Sequence, residues 1–202
     1  TAGTMKVATS REAMIGDQNQ LAMDRQIITL AGVPIAGYQV GQGAQLAYAG
    51  DDLRFMGQMF NNFANVATPG VNNSSYAMNL RAEFMVEGSG WSQFDQFTSA
   101  DGGAAGTLIG LSWLTLSDGD TGATQAAGNQ TDGVELLTID AQMQFGGSNL
   151  YVSYMDFSDS NTPNAATGVL NTDSDTLTVM YGIYLDSDWE LYGRYIDSDG
   201  SA

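Results

Sequence analysis

Hydrophobic and polar residues alternate along most of the chain from residue 41 onward, in short runs separated by Gly, Asn, Asp and Ser. A period of two places apolar side chains on one face of a strand and polar side chains on the other. The separating residues are those that turns and hairpins prefer. The pattern therefore predicts eight antiparallel strands, at residues 43–49, 52–60, 76–86, 106–116, 134–145, 149–157, 175–184 and 188–197.

The connections between these strands alternate between short and long. This alternation places all the long connections at one end of an up-and-down meander. Outer-membrane barrels have such an asymmetry, whereas the Greek-key connections of a soluble sandwich cross between two sheets. The short connections are 50–51, 146–148 and 185–187, and the long, polar ones are 61–75, 117–133 and 158–174.

The connection at 87–105 does not fit this alternation, because it is of intermediate length and falls at the end of the short turns. It contains Trp91, Phe94 and Phe97, which give it enough apolar surface to pack as a small local structure. One interpretation is that it caps or plugs the rim of the sheet. The other is that it offers a contact surface to another barrel or to a cell-wall partner.

One face of each predicted strand is uncharged over most of its length, and the other carries charges and amides in the middle of the strand. In 76–86, for example, Asn79, Arg81 and Glu83 oppose an apolar face. A half-solvated soluble sheet would alternate in the same way, but aromatic residues near the strand ends favour a membrane, where they form girdles at the two interfaces. These aromatic residues are Tyr48, Phe60, Tyr76, Phe84, Phe145, Trp189 and Tyr195.

We therefore predict an all-β fold, an antiparallel up-and-down transmembrane β-barrel, with a secreted β-sandwich binding module as the alternative. The chain is interpreted as one barrel domain over residues 1–202. Within it, residues 41–202 supply about eight meander strands. Residues 1–40, whose amphipathic pattern is broken by Gly, form an irregular or inward-folded segment.

Composition excludes several classes of function. Six Lys and Arg residues stand against 23 Asp and Glu residues, a net charge of −17, so that no basic surface for nucleic acid is expected. The sequence has no His and no Cys, which excludes zinc sites and His-dependent nucleophilic catalysis. We expect no enzyme activity, cofactor or metal. The Asp clusters in the connections are typical of turns, and calcium binding is the alternative left open.

Five stretches along the chain share a pattern with a known family. They are SREAMIGDQNQLAMDRQ at 10–26, GAQLAYAGDDLRFMGQMFNNF at 43–63, RAEFMVEGSGWSQFDQFTS at 81–99, LTIDAQMQFGGSNLYVSY at 137–154 and LDSDWELYGRYIDSD at 185–199. In these stretches the sequence resembles the outer-membrane porins of the phosphate-selective porin O and P type, including relatives in planctomycete-like bacteria. The resemblance extends over nearly the whole chain.

The resemblance implies a trimeric barrel of 16–18 strands in the bacterial outer membrane, of which this chain would form a central part. It also implies a passive diffusion channel for small hydrophilic solutes or ions. The alternative is a structural or anchoring outer-membrane or cell-surface β protein without significant channel activity. Solute contact and cross-strand pairing with Glu83 or Glu190 both remain open for the arginines. The pore-lining candidates, chosen by strand parity and by their place in the inward-folded segment, are Arg11, Arg25, Arg54, Gln58, Asn79, Arg81, Glu83, Asp140, Gln142, Glu190 and Arg194.

Overall fold

The computed structural model describes residues 1–22, 29–30, 33–34, 40–61, 76–116, 134–159 and 173–200, and this part of the chain is almost entirely β-structure. Its helical parts are short: α1 (Arg11–Met14) and two 3₁₀ turns, Asp17–Asn19 and Trp91–Asp95. The strands are β1 (Ala2–Lys6), β2 (Thr29–Leu30), β3 (Val33–Pro34), β4 (Val40–Ala49), β5 (Leu53–Asn61), β6 (Ala77–Glu87), β7 (Ala105–Leu116), β8 (Val134–Phe145), β9 (Ser148–Asp159), β10 (Ser174–Tyr184) and β11 (Glu190–Gly200).

Nine of these strands form one antiparallel sheet in the order β1-β4-β5-β6-β7-β8-β9-β10-β11, and β2 pairs with β3 alone. From β4 onward each strand pairs with its neighbours in sequence, which is an up-and-down meander rather than the Greek-key order of a sandwich. The eight predicted strands are confirmed, with boundaries that agree to within three residues. The all-β, antiparallel, up-and-down fold is confirmed with them.

The pattern did not predict β1, which pairs with β4 at one edge of the sheet through Ala2↔Ala44 to Lys6↔Val40. Its sequence, AGTMK, has no apolar alternation, so its pairing with β4 is the only sign that it is a strand. The residues that follow it fold inward, against one face of the sheet. We call residues 7–22 the N-terminal segment and the face that it contacts the inner face.

The described short connections lie together at one end of the sheet, which we call the short-turn end. The β8–β9 turn is formed by Gly146 and Gly147, whose φ angles of 66° and 124° are accessible to glycine with little strain. Residues 88–104, between β6 and β7, lie at this same end, and we call them the insert. The long connections predicted at 61–75, 117–133 and 158–174 lie almost wholly outside the described residues.

The two faces of the sheet are inverted relative to a soluble protein. On the inner face, polar side chains in the middle of the strands are buried, such as Arg81 and Asp140. On the outer face, large apolar side chains are exposed along the whole sheet; Leu46 of β4 is 83 % exposed, and Trp189, just before β11, is 70 % exposed. Apolar residues reach the inner face mainly toward the strand ends, where Phe60, Leu116 and Phe157 pack with Val7.

The assignment of Phe60 to the exposed aromatic girdle was wrong, because this side chain is only 1 % exposed and lies on the inner face. Its parity is that of Gln58 and not that of Met59, so it points inward. A Cβ atom at Gly41 would overlap the Phe60 ring, which explains why a residue without a side chain stands there.

The sheet curves around the N-terminal segment. Lys6 pairs with Val40 at one edge of the sheet, and Glu12 forms a 3.0 Å ion pair with Arg194 of β11 at the opposite edge. The six-residue step from Lys6 to Glu12 spans at most about 21 Å. Nine strands laid flat would separate the two edges by about 38 Å. Two side chains are too short to supply the difference, so the edges must approach each other around the segment.

Candidate functional site

A buried ion pair between Arg81 and Asp140 lies at the centre of the inner face. Arg81 on β6 donates from Nη1 to Oδ2 of Asp140 at 2.9 Å and from Nη2 to Oδ1 at 2.8 Å. The two residues stand on strands that are not neighbours, because β7 runs between them. Gly110 of β7 lies beneath the pair, and a Cβ atom there would come within 2.5 Å of Asp140 Oδ1 and would also overlap Arg81 Nη2. This glycine leaves room for a bidentate contact that joins three strands.

Glu83 is the common partner of three arginines. Arg81 donates from Nε to its Oε1 at 3.0 Å, and Arg54, its direct cross-strand partner, donates from Nε to its Oε2 at 2.7 Å. Arg11 approaches from the N-terminal segment, with Nη1 at 3.6 Å from Oε1. The Glu83 side chain has no exposed surface. Its charge is therefore balanced inside the protein, as a buried carboxylate requires.

Arg11 is placed by the local structure of the N-terminal segment. Ser10 caps the single turn of α1 by accepting a hydrogen bond from the backbone N–H of Ala13 at 3.0 Å. This turn directs the Arg11 backbone N–H to Asp140 Oδ2, at 3.0 Å. The Arg11 side chain donates from Nε to Gln142 Oε1 at 3.2 Å and also bonds to the carbonyl of Phe94.

The backbone of the N-terminal segment is hydrogen-bonded to the sheet wall by amides and a hydroxyl. Gln58 accepts from the backbone N–H of Ala8 at 2.9 Å, and Asn79 donates to the Ala8 carbonyl at 3.1 Å. Ser112 donates to the carbonyl of Thr9 at 2.5 Å. Polar side chains of β5, β6 and β7 therefore take the place of a paired strand for this stretch of backbone, which would otherwise be buried without partners.

The insert closes over the same face at the short-turn end. Trp91 donates from Nε1 to the carbonyl of Gly50 at 2.8 Å, and its ring lies 4.5 Å from the Arg54 guanidinium carbon. Phe94 and Phe97 are fully buried. Farther along, the backbone N–H of Gly147 donates to the carbonyl of Ser99 at 3.1 Å. The insert thus contacts both the β4–β5 turn and the β8–β9 turn, so it covers the inner face at this rim.

A second ion pair fixes the N-terminal segment to β11. Arg194 Nη2 lies 3.0 Å from Oε1 of Glu12, and both side chains are largely buried. Glu190, on the same strand, accepts from Asn149 Nδ2 at 3.0 Å and from Thr98 Oγ1 at 3.1 Å, so it contacts β9 and the insert. The cross-strand pairing expected between an arginine and Glu83 is present at Arg54. Arg194 pairs instead with Glu12, an acid that strand parity did not suggest.

The pore-lining candidates fall into three groups. Two, Glu190 and Arg194, lie on β11 at the edge of the inner face, and Arg25 lies outside the described residues. The other eight gather on or against the inner face, and most of them are in contact with protein rather than solvent. These eight are Arg11, Arg54, Gln58, Asn79, Arg81, Glu83, Asp140 and Gln142.

Sequence reasoning missed Glu12, Asp95 and Gly110. Glu12 and Asp95 belong to segments without strand periodicity, so parity could not place them; Asp95 Oδ1 lies 3.1 Å from Arg11 Nη2. A signal was present for Gly110, a glycine in the middle of an apolar strand, which often marks a close approach of neighbouring groups.

The charges of this network balance. Arg11, Arg54 and Arg81 are matched by Glu83, Asp140 and Asp95. Burial lowers the pKa of Arg11, Glu83 opposes that shift, and the two neighbouring arginines add to it. The guanidinium stays charged at neutral pH because its ordinary pKa is far higher. The arrangement can hold two segments against a wall and can present fixed charge to a solute. Within these six described side chains, no nucleophile is paired with a base.

Across the described ranges, no group of three or more acidic side chains is placed to hold a metal ion. In the same ranges no helix is both long and apolar enough to cross a membrane. Comparison with known proteins gives no family: no protein-family model matches the chain, and no curated protein or solved structure matches it.

Proposed function

We propose that this chain forms part of the wall of an outer-membrane porin, a β-barrel that passes small hydrophilic solutes or ions by passive diffusion. The observation that carries the proposal is the inversion of the sheet, with a polar inner face and an apolar outer face. Soluble proteins rarely expose a contiguous apolar surface of more than a few hundred Å². A bilayer needs such a surface on the wall of a barrel.

The distribution of side chains on the outer face supports the proposal. Its centre is apolar along β6, β7 and β8, at Leu80, Leu111 and Ile139, which are each about half exposed. Its charged residues on β8–β10, Glu135, Asp156 and Asp175, lie toward the end that faces the long connections. Strands β4–β11 are nine to twelve residues long, close to the length that a tilted strand needs to cross a bilayer.

The location proposed is the bacterial outer membrane, with the short-turn end facing the periplasm and the long connections outside. The membrane lipid and the permeating ions are the expected partners. We further propose that complete barrels of 16–18 strands assemble as homotrimers. This part of the proposal rests on the sequence resemblance to the phosphate-selective porins alone.

A second candidate is a structural or anchoring membrane protein that conducts little. One observation favours it: the inner face is covered by the N-terminal segment and the insert, and Arg81, Glu83 and Asp140 are buried. A wall whose polar groups are all in contact with protein leaves no aqueous path along that part of the sheet.

Conductance of the native protein in a planar bilayer, measured under a salt gradient, separates the two candidates. Steady open-channel steps support the porin, and the sign of the reversal potential gives its selectivity. Folded protein that inserts into the bilayer and gives no steps contradicts the porin and supports the structural candidate. Solubility without detergent would contradict both.

A further inference from the structure

We propose that the N-terminal segment, residues 7–22, is a releasable plug of the lumen and that Arg11 is the residue that holds it in place. This goes beyond the proposed function, and it rests on that function only where conductance is the readout. The segment packs on the inner face through Val7, Ile15 and Ala22, and its polar contacts are of two kinds with different consequences.

The contacts at residues 8 and 9 are neutral hydrogen bonds to Gln58, Asn79 and Ser112. Water replaces such bonds with little net loss once the segment moves, because each contributes modestly to stability in solution. They specify where the backbone lies. They do not hold it firmly against a water-filled lumen.

The contacts of Arg11 are charged and converge from every side. Its guanidinium approaches Glu83 of β6, Gln142 of β8, the Phe94 carbonyl and Asp95 of the insert. One side chain therefore fastens the segment both to the wall and to the insert. Bonds that involve charged groups are about twice as strong as neutral ones, so Arg11 contributes more to the attachment than the neutral bonds do. The Glu12–Arg194 pair adds a second charged contact, at β11.

The two buried carboxylates of the wall beneath the plug keep arginine partners when Arg11 leaves. Without Arg11, Glu83 keeps its contacts with Arg54 and Arg81, and Asp140 keeps its bidentate contact with Arg81. These pairs connect strands of the sheet to one another. The charges of β6 and β8 thus keep partners within the sheet when the segment leaves, whereas release separates the Glu12–Arg194 pair at β11.

The chain contains no cysteine, so one introduced cysteine can report on the plug without background. Ser112→Cys places a thiol of similar size beneath Thr9, at a position that is 1 % exposed. We would measure its reaction with a charged, membrane-impermeant thiol reagent in full-length protein reconstituted in liposomes. The test background is Arg11→Gln. The control background is Gln18→Glu, an exposed position of the same segment with the same change in net charge.

We expect the thiol introduced by Ser112→Cys to react about tenfold faster or more in the Arg11→Gln background than in the Gln18→Glu background, because losing the charged bonds raises the population of the open state. Single-channel conductance should increase in the same variant. Equal reaction rates in both folded backgrounds would overturn the plug. Faster labelling without conductance in either background would support the plug and contradict the porin. Equal conductance in both backgrounds, with the introduced thiol protected in both, would support the porin and contradict the plug.

A variant that only misfolds would also make the thiol at position 112 react faster, so a second cysteine position is measured as a control. Leu108→Cys lies on the inner face beneath the insert, in an apolar cluster with Met85 and Phe94, and is 1 % exposed. No residue of the N-terminal segment belongs to this cluster, so the thiol should stay protected in the Arg11→Gln background if only the segment moves. Exposure of both thiols would mean that the wall itself has opened, and would contradict the proposal.

Discussion

Arg81 and Asp140 join β6 to β8 across the intervening strand, and the absence of a side chain at Gly110 is what allows them to meet. Cross-strand pairs usually link neighbouring strands. A pair that passes over a third strand constrains the relative positions of all three. Since Asp140 also accepts the backbone N–H of Arg11, the same pair positions the N-terminal segment.

Gly110→Ala should destabilise the protein by about 1–3 kcal/mol, because the new methyl group would overlap the Arg81–Asp140 pair, whose side chains are both buried. Gly57→Ala is the matched control: it also lies within a strand, but its nearest neighbour would be a Leu80 methyl at an ordinary 3.6 Å. Urea unfolding followed by tryptophan fluorescence in lipid vesicles measures both. Similar values for the two variants would contradict a steric role for position 110.

Arg81→Gln or Asp140→Asn alone should each cost about 3–5 kcal/mol, because each leaves a buried charge without its main partner. The double variant should lose clearly less than the sum of the two, since it removes both charges together. The coupling energy from this cycle, obtained from the same unfolding measurements, isolates the pair. Arg54→Gln with Asp140→Asn serves as the control cycle, because Arg54 bonds to Glu83 rather than to Asp140. Its coupling should be much smaller.

Leu111→Arg should cost about 2–4 kcal/mol if the outer face contacts lipid, because an arginine near the bilayer midplane is expensive there. Val86→Arg lies on the same face, near the strand end at the short-turn end, and should cost about 0–1 kcal/mol. If water covered the outer face, both changes would be surface substitutions within about 0.5 kcal/mol of neutral. The depth dependence, rather than either value alone, decides between lipid and water.

Much of the fold could be predicted from the sequence, because a period of two is imposed by the backbone of a strand and survives in every segment from β4 to β11. The strand β1 could not be predicted, because hydrophobic and polar residues do not alternate in AGTMK. It is recognised as a strand only by its pairing with residues 40–44. Phe60 was misplaced because its aromatic character was given more weight than its parity.

Parity also placed the candidate site on the correct face, bringing Asn79, Arg81 and Glu83 together with Asp140. What parity cannot supply is the partner from an irregular segment. Arg11 was included only for its charge and its place in a segment that could fold inward, and Glu12 was missed. Their contacts depend on the turn that Ser10 caps and on the curvature of the sheet, neither of which has a periodic signal in the sequence.

The proposed channel should prefer cations over anions. The wall residues Arg54, Arg81 and Arg194 are matched in charge by Glu83, Asp140 and Glu190, so this part of the inner face contributes little net field. The chain as a whole carries 23 acidic against six basic residues. Among the described acids, Asp51 and Asp186 lie in the short turns, so we expect the excess to act at the mouths of the proposed channel. The measurement is the reversal potential under a KCl gradient. The preference should weaken between 0.1 M and 1 M salt, because the screening length falls from about 10 Å to about 3 Å. Anion preference would instead assign selectivity to the arginines, as the resemblance to phosphate-selective porins implies, and would contradict the charge balance of the wall.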